Sequence, residues 1–175
     1  MKTFLGFLIL MVFLVSCDNS TNNSENPPIG LVINEFMVKN LSYPDCEGKF
    51  GDWVELYNRG KDPIKLSDFY ISDNPKKPLK YQFTDTTILP GAFYVIWGGK
   101  TDSNCIHKNH CGFSLSSVDT SEVILLSYKG GQQLDKVEYF AIPEALISDS
   151  SYGRITDGSD SWAKQSVPTI GQPNN

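Results

Sequence analysis

Beyond residue 28 the apolar positions recur at every second residue over short stretches, and each stretch is closed by turn-forming residues; no window of twelve shows helical spacing. The pattern predicts strands over 31–38, 53–57, 69–72, 81–83, 86–89, 93–97, 122–128 and 133–140, a last one over 152–155, and a single helical turn over 143–147. These lengths suit the strands of a sandwich. The segments Asn58-Arg59-Gly60-Lys61-Asp62-Pro63 and Leu89-Pro90-Gly91 put Gly and Pro where the chain must reverse, and Lys129-Gly130-Gly131 closes a hairpin. Alternation then assigns faces: Val54 and Leu56 share one side of their strand, and Trp53, Glu55 and Tyr57 share the other. The aliphatic side is the expected core, joined by Ile33 with Met37, Ile71, Val95, Ile124 with Leu126, and Val137. The fold class expected for 29–175 is all-β, a two-sheet β-sandwich.

The first thirty residues follow a different pattern. After Met1-Lys2-Thr3 the run from Phe4 to Val15 is apolar except for Gly6, and it ends in Leu14-Val15-Ser16-Cys17. A bilayer span needs about 20 apolar residues, so this shorter run is expected to be a signal peptide over 1–16, removed on export. Its last four residues resemble the lipobox of bacterial lipoproteins. That resemblance implies a diacylglycerol on the Cys17 thiol and an acyl chain such as palmitate on its new amine, which together give the two or more lipid chains that stable anchoring requires. The membrane, reached through this anchor, is therefore an expected partner. From Asp18 to Pro28 every residue is Asp, Asn, Ser, Thr, Glu or Pro. Such a stretch has nothing to bury against its ordering entropy, so 17–28 is expected to act as a lipidated flexible tether.

Several short motifs recur in a recognisable order. They are Val32-Ile33-Asn34-Glu35-Phe36, Asp52-Trp53-Val54-Glu55-Leu56-Tyr57-Asn58, and Ile64 to Asp73; then Leu89 to Val95, Phe113-Ser114-Leu115, Glu122 to Leu126, Tyr152-Gly153-Arg154, Asp157-Gly158-Ser159 with Trp162, and Pro168-Thr169-Ile170-Gly171. The series resembles the lamin tail domain, an immunoglobulin-like sandwich. The resemblance implies a non-catalytic interaction module, in bacteria often attached to secreted hydrolases. Two loops depart from the family pattern: 39–51, which holds Cys46, and 100–112, which holds Cys105, Cys111 and both histidines.

Charge narrows the partners. The chain carries a net −5, and loss of 1–16 would remove Lys2 and no acid, which disfavours nucleic acid as a partner. Chemistry-bearing groups are few. Cys105, His107, His110 and Cys111 lie within seven residues and with Cys46 could supply a tetrahedral zinc site; in an exported chain, two of the three thiols could instead pair. Cys105 with Cys111 is the pairing expected, leaving Cys46 free. Asp45, Glu47 and Asp52 form an acidic loop that could hold calcium, without the EF-hand spacing. Glu55 between Trp53 and Tyr57 resembles an aromatic-framed carboxylate for a sugar or cation, or else an ion pair with Arg59 or Arg154. G-x-S-x-G, H-E-x-x-H, P-loop and G-x-G-x-x-G motifs are all absent from the sequence, and neither histidine has a recognisable catalytic partner.

The expectation is thus a lipoprotein presenting a binding or scaffolding module at the cell envelope, with an envelope protein or glycan as partner and no cofactor. The alternative is a metal-dependent envelope hydrolase or an accessory subunit of one. Loops at one end of the sandwich are the expected contact surface, 100–121 first among them. The outer membrane or cell surface is the expected location, although Asp18 after Cys17 resembles an inner-membrane retention signal.

Overall fold

A computed structural model describes residues 26–100, 109–116 and 123–174. In chain order its strands are β1 (Leu31–Met37), β2 (Trp53–Asn58), β3 (Ile64–Lys65), β4 (Phe69–Ser72), β5 (Tyr81–Gln82), β6 (Thr87–Ile88), β7 (Phe93–Trp97), β8 (Ile124–Tyr128), β9 (Gln132–Val137), β10 (Ser151–Arg154) and β11 (Trp162–Gln165). One antiparallel sheet runs β11-β10-β1-β2-β7 and a second runs β5-β4-β8-β9, with β3 and β6 paired at the side. The two sheets form a sandwich: Ile33, Phe36, Val54 and Leu56 from the first meet Phe69, Ile71, Ile124 and Leu126 from the second in one apolar cluster.

The expected strands are present with ends moved by a few residues. β3 and β11 were not expected, being too short or too mixed to show alternation. The chain after Val137 leaves the sheet early and forms a 3-10 turn over Tyr139–Ala141 that buries Tyr139. The turn expected over 143–147 is a 3-10 helix at Pro143–Leu146. At Lys129–Gly131 the reversal is carried by Gly130 and Gly131, with φ of 77° and 83°, where a β-carbon would clash with its own backbone.

Two expectations about faces are corrected. The pairing of β1 with β2 slips between Ile33 and Glu35, so Asn34 is an extra, bulged residue. A bulge reverses the alternation beyond it. Ile33 and Phe36 therefore face the sandwich core, whereas Met37, expected beside Ile33, joins Trp53 and Trp97 in a separate buried cluster on the outer face, with Val95 packed against it. That outer face is covered, not half-open. Glu35 and Glu55 lie opposite each other on β1 and β2 and are fully buried beneath the C-terminal segment. Thr169 donates its N–H and hydroxyl to Glu35, and the Gly171 N–H donates to Glu55 at 2.6 Å.

Ile33 keeps its register with Leu56 on β2, and two side chains take up its N–H and carbonyl. The Ile33 N–H donates to Asp135 Oδ2 at 2.9 Å, and its carbonyl accepts from Arg154 Nε at 2.7 Å. Arg154 Nη2 in turn pairs with Asp135 at 2.8 Å, and the guanidinium stacks 4.7 Å from the Trp162 ring. One ion pair thus ties β1, β9 and β10 together.

Candidate functional site

β1 begins at one pole of the sandwich, where the Arg59 N–H donates to the Gly30 carbonyl at 2.9 Å, and runs seven residues to the other. At about 3.3 Å per residue the poles lie roughly 20 Å apart. The far pole is where β1 and β7 end and β2 begins. There the described parts of the two loops that depart from the family pattern face each other across a cleft of about 480 Å³, walled by 38–41 and 49–52 on one side and by 98–100, His110 and Ser114 on the other.

The first wall is held by side chains chosen for the purpose. Asn40 is buried, accepting from the Tyr43 N–H at 2.9 Å and donating to the carbonyls of Tyr43 and Gly51 at 2.6 and 2.7 Å. Asp149 grips the same loop from behind, accepting from the Leu41 N–H at 2.7 Å and the Ser42 hydroxyl at 2.8 Å. These bonds hold the Asp149 carboxyl below its ordinary range. Asp45 closes an Asx-type turn by accepting from the N–H groups of Glu47 and Lys49, each at 2.8 Å.

Two carboxylates join the walls. Asp45 Oδ2 lies 2.9 Å from His110 Nε2, with both side chains almost wholly buried. Burial works to raise the Asp45 carboxyl, but the hydrogen bonds from His110, Lys49 and Glu47 outweigh it and the group ends below its ordinary range. His110 is itself fixed because its backbone bridges the end of β7 at Trp97. Its second nitrogen, Nδ1, has no hydrogen-bond partner among the described residues. Asp52 accepts from the Leu115 N–H at 2.6 Å, beneath Gly98, where any β-carbon would overlap its carboxylate. Burial pushes the Asp52 carboxyl up to about 6 against the hydrogen bonds from Leu115 and Ser114. A disulfide at Cys46 adds a third restraint on the first wall.

The mouth of the cleft has a different character. Lys39, Lys49 and Lys100 line it, Lys49 within 2.8 Å of Glu47, and the apolar side chains of Leu41 and Phe50 are 64% and 54% exposed. Rigid polar locks below and an open basic, apolar rim above suit recognition of another molecule.

Several sequence expectations are overturned here. Cys111 is a free thiol, so it does not pair with Cys105, and Cys46, expected to be free, is the oxidised one. Strand-like alternation explains the first point: His110 turns to the cleft, while Cys111 turns to the sandwich core, donates to the Phe113 carbonyl at 3.2 Å, and has its pKa pushed up to about 12 by burial. The zinc set built on Cys46, His110 and Cys111 is dispersed by the same facts. Asp45, Glu47 and Asp52 do not converge on a common point, each being committed to separate donors or cations, and no metal-holding group of three occurs among the described residues. Trp53 is core, and Tyr57 stacks on Phe93 at 5.0 Å. Glu55 takes neither Arg59 nor Arg154; its partners are the Asn34 amide at 3.0 Å and the Gly171 N–H. Cys17, Cys105 and His107 lie outside the described residues. Of the expected site residues, Asp45, Asp52 and His110 are brought together, in the cleft. Lys39, Leu41, Phe50 and Lys100 were missed; the signal that could have found them is their place within or beside the two departing loops.

An immunoglobulin-like sandwich whose inserted loops build a cleft at one pole is the class of protein that emerges. The model of the Lamin Tail Domain matches residues 24–141, and the chain belongs to that family. No curated protein matches it. The family match stops before β10, β11 and the C-terminal segment, which here complete the first sheet and cover its outer face.

Proposed function

We propose that the chain is a lipoprotein, anchored through Cys17, that presents a non-catalytic lamin-tail binding module at a bacterial cell envelope and engages its partner through the polar cleft. The observation that carries this reading is the position of the cleft. The tether joins the domain at Gly30 and the cleft opens at the opposite end of β1, so an anchored domain is free to present its cleft away from the bilayer. The 11 residues of Asp18 to Pro28 add a reach of roughly 20 Å as a flexible chain. Membership of an immunoglobulin-like family supports binding or scaffolding as the role. Among the described residues, His110 Nδ1 has no hydroxyl or thiol within hydrogen-bond reach, which favours a locking role for the Asp45–His110 pair.

Cells expressing the intact chain and fed a tagged fatty acid test the anchor. Wild type is expected to be labelled and to fractionate with membranes, and Cys17→Ala to lose both. Unchanged labelling of Cys17→Ala removes the anchor from the proposal. In the same cells, Leu41→Glu with Phe50→Glu is expected to lower partner recovery on co-purification about tenfold, the effect of losing well-packed contact residues. Full recovery contradicts a role for the cleft.

A further inference from the structure

The geometry points to an acidic peptide segment of a partner protein, carrying apolar side chains beside its carboxylates, as the occupant of the cleft. This rests on the cleft being the binding surface and goes further by naming what it takes.

Charge is the first ground. The chain is net acidic at −5, yet three lysines gather at this mouth. Among the described residues neither Lys39 nor Lys100 has a carboxylate partner. The acids of the cleft do not cancel them at the surface, because Asp45 and Asp52 are turned inward onto His110 and onto the Leu115 N–H. A cationic rim selects anionic partners.

Apolar exposure is the second. Leu41 and Phe50 stand out of the same walls between the lysines. A free phosphate would leave both in water. A polysaccharide could stack on Phe50 but would find no aromatic face at Leu41. A bilayer could take both, but the tether joins the opposite pole. A peptide with alternating acidic and apolar side chains meets the cations and the apolar groups at once.

The unpartnered His110 Nδ1 is the third. Among the described residues, Nδ1 of this cleft-lining side chain has no hydrogen-bond partner. A buried polar atom without a partner is costly, and a peptide backbone offers both N–H donors and carbonyl acceptors where a phosphate dianion or fatty-acid carboxylate offers acceptors alone.

The test is selection of a random displayed peptide library on the intact chain in detergent, with heparin as a second, polysaccharide probe. The expected result is enrichment of peptides rich in Asp and Glu together with Leu, Phe or Trp. Their affinity is expected to fall about tenfold in Lys39→Glu with Lys100→Glu and to weaken as salt is raised, while the variant keeps the wild-type melting temperature. Enriched peptides without acidic bias that are nonetheless lost in Phe50→Ala, or cleft-dependent binding of heparin alone, overturn the peptide class and leave the cleft as the binding surface. No enrichment with no heparin binding, or enrichment indifferent to Lys39, Phe50 and Lys100, overturns both.

Discussion

Arg154→Ala is expected to destabilise the domain by about 3–5 kcal/mol, the range for removing one partner of a buried ion pair, and this is the largest single-residue effect anticipated. Its size follows from what the guanidinium replaces. Beside the bulge at Asn34, the Ile33 N–H and carbonyl are bonded by the Asp135 and Arg154 side chains. Truncating Arg154 strands the Ile33 carbonyl and leaves the Asp135 carboxylate with only the Ile33 and Lys136 N–H groups in a largely dry site. It also removes the cover over Trp162. Urea unfolding of the intact chain measures the loss. Arg154→Ala with Asp135→Ala should be less destabilised than the two single changes added together, because the second substitution removes the stranded charge. A loss under about 1 kcal/mol for Arg154→Ala would mean that the pair is solvated and does not organise the bulge.

The second large effect is on pH dependence, and its direction is the unusual one for a carboxylate. Burial raises the Glu55 carboxyl from 4.5 to about 8, against hydrogen bonds from Asn34 and Gly171 that favour the charged form; the nearby Glu35 and Asp157 carboxyls push it further up. A group with a raised acid pKa holds its proton in the folded state after the unfolded chain has released it. Folding stability from Glu55 is therefore fully present below about 4.5, declines as pH rises through the interval, and is gone above about 8. At full burial the span corresponds to roughly 3–5 kcal/mol. Asp52, raised to about 6, adds a smaller decline in the same direction over the lower part of the range. The expected observation is a melting temperature that falls steadily from pH 5 to pH 9. In Glu55→Gln the slope between pH 6 and 9 should flatten, even though the amide cannot accept from both Asn34 and Gly171 and lowers stability at acid pH. A wild-type melting temperature that rises or stays level over that interval contradicts a buried, proton-holding Glu55.

Much of the sandwich was legible because its strands alternate. Val54 with Leu56 and Ile124 with Leu126 go to the shared core as period two requires. Met37 shows where that reasoning ends: a single bulged Asn34 moves every later side chain of β1 to the other face, and no local signal in Val32 to Phe36 announces it. Glu55 was read as a binding or ion-paired carboxylate because a buried one is exceptional, and Glu35 was given no role of its own. They are covered by 168–174, a stretch without periodicity whose role depends on contacts with residues more than a hundred positions earlier. The cleft was half legible. Two loops stood out as departures from the family pattern, but their junction rests on Asp45 meeting His110 across 65 positions, which no spacing rule anticipates. The cysteine expectation failed for a related reason. Closeness in sequence favoured Cys105 with Cys111, whereas the backbone of 109–111 runs beside β7 and alternation sends the Cys111 side chain into the core.

Each device at the far pole has the same consequence. Asn40, Asp45, Asp52, Asp149 and the Cys46 disulfide fix the loops, so Lys39, Leu41, Phe50 and Lys100 are presented on a rigid frame, and little ordering entropy remains to be lost on binding. In the proposed anchored state, attachment at the other pole leaves that frame free to face outward. The most direct test is photocrosslinking in intact cells, with a photoreactive residue placed at Phe50 or Leu41 in the cleft and, for comparison, at Lys61 or Ile29 at the tether pole. Discrete adducts to a partner polypeptide from the cleft positions alone are the expected result. Equal adducts from both poles, or adducts only from the tether pole, would contradict the assignment of the cleft as the binding surface.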